Sequence, residues 1–197
     1  IVQSINSACT VESILHLGGI VGRTSIYTNT VTNEVVYSNI TNCTNNGAIS
    51  STDATNPKCV FRCGGILGIS DDTNIIPAKI DNCTNNAPIT FKEVNFSGTL
   101  TMMIGGIVSY STKLGVYNCT NTKNGKITME LAKTVAGKTF AIGGVAGRMV
   151  DHSNPLANYG DIEIKGTVMG QAFVSGIVGY PNNYNRVNLT NDCTITL

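Results

Sequence analysis

The sequence predicts an all-β fold, a parallel β-solenoid of about five coils, and three observations lead there. A glycine-rich motif recurs five times, a second motif built on Asn and Cys follows each copy, and the composition favours residues that break helices. The 197 residues include 21 Gly, 23 Asn and 24 Thr but no Trp, and only 13% carry charge. Asn, Gly and Thr are poor helix formers, which excludes a helical bundle. Disorder is excluded by 42% hydrophobic residues at low charge. A net charge of +1 supplies no field for nucleic acid or an anionic membrane. No apolar run reaches the length of a membrane-spanning helix, so direct membrane insertion is not expected either.

The first motif reads Gly18-Gly19-Ile20-Val21-Gly22, then Gly64-Gly65-Ile66-Leu67-Gly68, Gly105-Gly106-Ile107-Val108-Ser109, Gly143-Gly144-Val145-Ala146-Gly147 and Ser175-Gly176-Ile177-Val178-Gly179. Successive copies lie 46, 41, 38 and 32 positions apart, so the variable part belongs in loops. The second motif is Ile40-Thr41-Asn42-Cys43-Thr44-Asn45-Asn46-Gly47-Ala48-Ile49. It returns from Ile80 to Ile89 around Cys83 and from Val116 to Ile127 around Cys119, with degenerate copies from Leu156 to Ile162 and Leu189 to Ile195. Each unit therefore reads as strand, corner, strand, turn and a third extended stretch, the last exemplified by the polar-apolar alternation of Asp161-Ile162-Glu163-Ile164-Lys165. One unit cannot close a core, whereas stacked units bury their Ile, Val and Cys positions in a column. Coils about 4.8 Å apart make that column about 24 Å tall. The units run roughly over 12–57, 58–98, 99–136, 137–168 and 169–197, one solenoid domain from 1 to 197.

The double glycines Gly18 and Gly19, Gly64 and Gly65, Gly105 and Gly106, Gly143 and Gly144, and Gly176 fit a sharp bend with no room for a Cβ. Asn suits the corners, where it tolerates left-handed geometry and stacks in ladders. Cys43, Cys83 and Cys119, followed at the same phase by Leu156 and Leu189, predict an inward structural ladder. Seven Cys cannot all pair internally, and stacked side chains in parallel register make a poor disulfide torsion, so free core thiols are expected. Cys59 and Cys63 have the wrong spacing for a zinc knuckle, although a Cys59 disulfide stays open.

These motifs resemble those of bacterial surface proteins with glycine-rich GLUG-type repeats, in which G-G-I-V-G is followed by an N-C-x-N-x-G-x-I segment. The similarity covers Ile5 to Ile195. It implies a right-handed β-helix, an exported, adhesin-like parent of gut-dwelling or mucosal bacteria, and no catalytic residues. The fourth and fifth units depart from the pattern, with Leu for Cys and Cys193 for the second-motif Gly, so altered packing is expected there.

Ile5 to Val11 matches Leu189 to Ile195 in phase, with Cys9 under Cys193. Two readings follow: a fragment of a longer, processed chain, or copies that associate end to end. The corners after the double-Gly strands hold the most varied side chains: Tyr27, Tyr37, Asp71, Asp72, Lys113, Arg148, Asp151, His152, Tyr180 and Tyr184. Stacking brings them to one edge, where Tyr faces suit sugar rings and Asn or Asp suit hydroxyls. Ordinary polar loops are the competing reading. Asp71 with Asp72, and Asp151 with His152, are the candidates for carboxylate chemistry, but the pairs lie two coils apart, about 10 Å. His16 precedes a double-Gly strand and reads as structural. Ala136-Gly137-Lys138-Thr139 resembles the end of a phosphate loop, yet Ala132 replaces its first Gly. Glycosylation sequons stand at Asn39, Asn42, Asn82, Asn95, Asn118 and Asn188, and the Asn beside each inward Cys should point outward.

The expected function is a non-catalytic extracellular or cell-surface module for adhesion or ligand presentation, its partners surface glycans or host proteins. A carbohydrate-binding or polysaccharide-cleaving β-helix and an end-to-end filament protomer are the alternatives. No metal and no cofactor is expected.

Overall fold

The computed structural model describes residues 3–4, 15–25, 27–36, 38–51, 60–70, 78–94, 100–131, 135–150, 155–182 and 188–197. Its described residues form a parallel β-solenoid, and none of them is helical. Among the described residues, the chain passes through five parallel sheets in each of the first three coils and through four in the last two. The first sheet contains Leu15–Gly18, Phe61–Gly64, Leu100–Gly105, Val135–Gly143 and Val168–Ser175. Across the double-Gly corner, the second contains Val21–Thr24, Leu67–Ser70, Val108–Ser111, Ala146–Met149 and Val178–Pro181. The third is shorter: Ile40–Thr41, Lys79–Asp81 and Gly115–Tyr117. The fourth comprises Thr44–Asn45, Thr84–Asn85, Cys119–Asn121, Leu156–Asn158 and Leu189–Asn191. The fifth has six strands, Gln3–Ser4, Ile49–Ser51, Ile89–Val94, Ile127–Leu131, Ile162–Lys165 and Ile195–Thr196.

The sequence reading expects three extended stretches per coil, and the described residues form five strands in the first three coils and four in the last two, because single residues fold the second motif twice. Asn42, Asn82, Asn118 and Asn188 adopt positive φ, 56°, 52°, 51° and 57°, and turn the chain from the third sheet, or its equivalent, into the fourth. Asn accepts this left-handed geometry at lower cost than most residues. The Cys, the buried Asn and the Ile of the motif then fall on the inside.

The interior is divided in two. One cluster lies among the second, third and fourth sheets, with Leu67, Ile80, Cys83, Val108, Val116, Cys119 and Leu156. The other lies between the first and fifth, with Phe61, Cys63, Ile89, Phe91, Ile104, Ile127 and Ile142. Between them runs a column of carboxamides, buried at Asn45, Asn85, Asn121 and Asn158 and exposed at Asn191. Asn45 Nδ2 donates to Asn85 Oδ1 at 2.9 Å, Asn85 to Asn121 at 2.9 Å, Asn121 to Asn158 at 2.8 Å and Asn158 to Asn191 at 3.2 Å. The second amide hydrogen is also used, by the carbonyls of Ala87, Gly125 and Gly160. Gly19, Gly65, Gly106, Gly144 and Gly176 rest on these carboxamides so closely that any Cβ would overlap Asn45, Asn85, Asn121, Asn158 or Asn191. The double glycine and the Asn column thus pinch the coil at opposite walls.

The expected phase of the N-terminal stretch is corrected. Gln3 pairs with Ile49, the position that the sequence comparison assigned to Val11. The spacing of the coil explains the shift: Gln3 to Leu15 spans the same twelve positions as Ile49 to Phe61, and both pairs are in register. Residues 5–14, including Cys9, lie outside the described residues.

Candidate ligand-binding edge

The first and second sheets do not diverge around the double-Gly corner but close on each other. The last glycine of the motif makes this approach: Gly68 lies on the backbone of Leu17, Gly147 on Ile104 and Gly179 on Ile142, at distances that leave no room for a Cβ. Side chains on the outer sides of both sheets consequently meet. Ile69, Met103 and Ala141 are buried yet belong to neither core cluster, because they fill this seam.

The residue that follows the motif stands at the seam in the second to fifth coils, and its equivalent in the first coil is exposed. In register these are Arg23, Ile69, Tyr110, Arg148 and Tyr180. Arg148 stands between two tyrosines, its Cζ 5.3 Å from the Tyr110 ring centroid and 4.9 Å from that of Tyr180. Arg62 of the first sheet lies over Tyr110 at 4.7 Å. At the other end Phe173 packs on Tyr180, with centroids 4.6 Å apart and planes tilted by 37°. One hydrogen bond holds the Arg148 fork: with the Asn182 carboxamide turned so that both its ends are satisfied, Oδ1 accepts from Nη2 at 2.9 Å, while Nε is buried without a hydrogen-bond partner.

Of the predicted edge residues, Tyr180 joins this row and Lys113 lies half-buried just past the strand Val108–Ser111. Tyr27 is placed by its backbone in a small antiparallel hairpin, Tyr27–Thr28 against Val35–Val36, opposite Val36. Tyr37, Asp71, Asp72, Asp151, His152 and Tyr184 lie outside the described residues. Tyr110, Arg62 and Phe173 were not singled out from the sequence. A signal for Tyr110 was present: Tyr110, Arg148 and Tyr180 occupy one motif position in three successive units.

No protein-family description, curated sequence or solved structure gives a significant match to the chain. The seam is therefore interpreted from its own chemistry.

The thiol column serves packing. Cys43 is half-buried, Cys83 and Cys119 are buried, all three are free, and Leu156 and Leu189 continue their line in register. Their S–H groups donate to the carbonyls of Thr41, Asp81 and Tyr117 at 3.3, 3.4 and 3.0 Å. The hydrogen bond shared with Cys83, together with burial, pushes the Cys119 thiol up. Burial alone pushes Cys63 up. Cys59 lies outside the described residues, and among the described residues no three His, Cys, Asp or Glu cluster as metal ligands do. The sequon residues Asn39, Asn42, Asn82, Asn118 and Asn188 are exposed as expected, with Asn82 Nδ2 donating to Asn42 Oδ1 at 2.7 Å, whereas Asn95 lies outside the described residues.

Proposed function

We propose that the chain is a non-catalytic solenoid module of an exported, GLUG-type bacterial surface protein, which presents an adhesive or ligand-binding edge outside the cell. The observation that carries this reading is where the coils vary in length. The path from first to second sheet is the same in every coil: Leu15 to Val21, Phe61 to Leu67, Met102 to Val108, Phe140 to Ala146 and Ala172 to Val178. By contrast, the connection from second to fourth sheet runs from Thr24 to Thr44, from Ser70 to Thr84, but only from Ser111 to Cys119 and from Met149 to Leu156. A constant column with variable connections on one side is how repeat proteins carry recognition.

The test is an array of surface polysaccharides and host matrix proteins probed with the purified chain. Saturable binding is expected, lost when the 71–77 and 151–154 connections are replaced by short Gly-Ser turns. Polysaccharide turnover abolished by Asp71→Asn, Asp72→Asn or Asp151→Asn would replace this reading with an enzyme, and a complete lack of binding would replace it with a plain spacer. End-to-end association is a second reading. It is favoured by Ile20 and Ile195, 44% and 39% exposed at phases that are buried in the inner coils. Sedimentation equilibrium over a range of concentrations tests it, and a monomer throughout overturns it.

A further inference from the structure

Beyond a generic binding edge, the geometry points to the Tyr110–Arg148–Tyr180 row as a subsite for an anionic glycan whose sugar carries a carboxylate. This rests on the binding-edge reading and names the ligand chemistry that the edge takes.

Charge distribution is the first support. The whole chain is nearly neutral, 13 Lys and Arg against 12 Asp and Glu. Its two seam-forming sheets are not. Their ten strands hold Arg23, Arg62, Lys138 and Arg148 and neither Asp nor Glu. The acidic residues of the described strands stand elsewhere, as Asp81 does on the third sheet and Glu130 and Glu163 do on the fifth, where they pair with Lys79, Lys126 and Lys165. Among the described residues no carboxylate pairs with Arg148.

The geometry of the guanidinium is the second. Rings flank it in both neighbouring coils, so its plane is held in place and its approach is restricted to the edge where the N–H groups lie. An edge-on fork of N–H donors matches a planar carboxylate. The buried, unpartnered Nε is a donor whose desolvation no acceptor offsets in this structure. A carboxylate beside it would do so, exchanging the Asn182 contact for its own. The flanking Tyr rings stand two coils apart, about 10 Å, with Arg148 between them, so their edges and phenols border the place where the sugar that bears the acid would sit. A nucleic acid or phosphate polymer fits less well, because the net charge of +1 gives no long-range attraction.

The experiment uses the full chain and four probes: oligogalacturonate, its methyl ester, a sulfated galactan oligosaccharide and neutral galactan. Binding is followed by calorimetry and by tyrosine fluorescence, which is unobscured because there is no Trp. Oligogalacturonate should bind, and esterification should weaken it by about tenfold or more, the loss expected for one charge-assisted fork. Arg148→Gln should weaken it similarly, with Arg148→Lys in between, while Lys165→Gln on the fifth sheet leaves binding unchanged. Should Arg148→Gln fail to fold, the ester comparison on the unaltered chain still decides. Equal binding of acid and ester, or full binding by a folded Arg148→Gln, overturns the carboxylate subsite. Equal or tighter binding of the sulfated probe overturns the preference for a carboxylate. If host proteins bind through the connections while none of the four glycans does, this proposal fails and the binding-edge reading stands.

Discussion

At the residue scale, stability is concentrated where a polar side chain is buried against a glycine. Asn121 accepts from Asn85, donates to Asn158 and to Gly125 O, and lies fully buried against Gly106. Asn121→Ala removes these bonds and leaves the Asn85 amide without its acceptor, at a cost of about 2–3 kcal/mol. Gly106→Ala should be at least as harmful, because the new methyl overlaps both Asn121 and the carbonyl of Gly144, neither of which has space to retreat. Denaturant unfolding of the two single variants and the double variant checks this. Because one methyl cannot fit beside the carboxamide, truncating the Asn should partly rescue the Gly variant, and the double variant should be less destabilised than the sum of the singles. The thiols report the same interior from another side. Cys43 and Cys193 are half-buried, whereas Cys63, Cys83 and Cys119 are enclosed. With little of its sulfur exposed and ionisation of Cys63 suppressed by burial, the enclosed set should react last. Maleimide labelling under native conditions, read by peptide mass, should modify Cys43 and Cys193 well before the other three.

At the scale of elements, the outer face of the fifth sheet carries the clearest electrostatic dependence. Glu163 receives hydrogen bonds from Lys126 at 2.7 Å and lies 3.1 Å from Lys165, and the Lys126 bond, followed by that from Lys165, holds its carboxyl below the usual range. Glu163 in turn raises Lys165. A depressed carboxylate contributes stability above its unfolded value of about 4.3, lost as pH falls through the folded value, and a raised Lys contributes below about 10.4, lost as pH rises past it. The melting temperature of Glu163→Gln should accordingly fall below that of the parent at neutral pH, and the two should converge in acid and at high salt. These strands also show what the sequence discloses and what it hides. Alternation in Asp161 to Lys165 and the recurrent Cys phase predict strand direction, stacking and which residues turn inward, and the pairings of Ile127 with Ile162 and of Cys119 with Leu156 bear that out. The seam was not readable. Double glycines announce a sharp bend, but its direction depends on Gly147 lying on Ile104 and Gly179 on Ile142, contacts between residues more than thirty positions apart. For the same reason Asn85 and Asn82 look alike in N-C-T-N, and only the left-handed turn at Asn82 sends one inward and the other to solvent.

At the scale of the whole molecule, each coil contacts its neighbours alone, so stability should be distributed along the column and not shared evenly. The inner coils have partners above and below: Ile66, Ile107 and Val145 are completely buried at the phase where Ile20 of the first coil is 44% exposed. Their backbones are bonded in series, Ile20 N to Ile66 O, Ile66 N to Ile107 O, Ile107 N to Val145 O and Val145 N to Ile177 O. The fifth sheet repeats the pattern, with Ile89, Ile127 and Ile162 buried and Ile195 39% exposed. In a nearest-neighbour array an outer coil loses one interface when it opens, and an inner coil loses two. Opening should begin at the outer coils and move inward, so amide exchange followed by mass spectrometry should show peptides from 102–111 and 140–149 protected longest and those from 15–24 and 189–197 exchanging first. Asn121→Ala, placed in the third coil, should lower the protection of the inner peptides most, because it interrupts the column where both neighbours depend on it. Uniform protection along the chain, collapsing all at once in denaturant, would mean that the pinch of Gly and Asn couples all the coils into one cooperative unit.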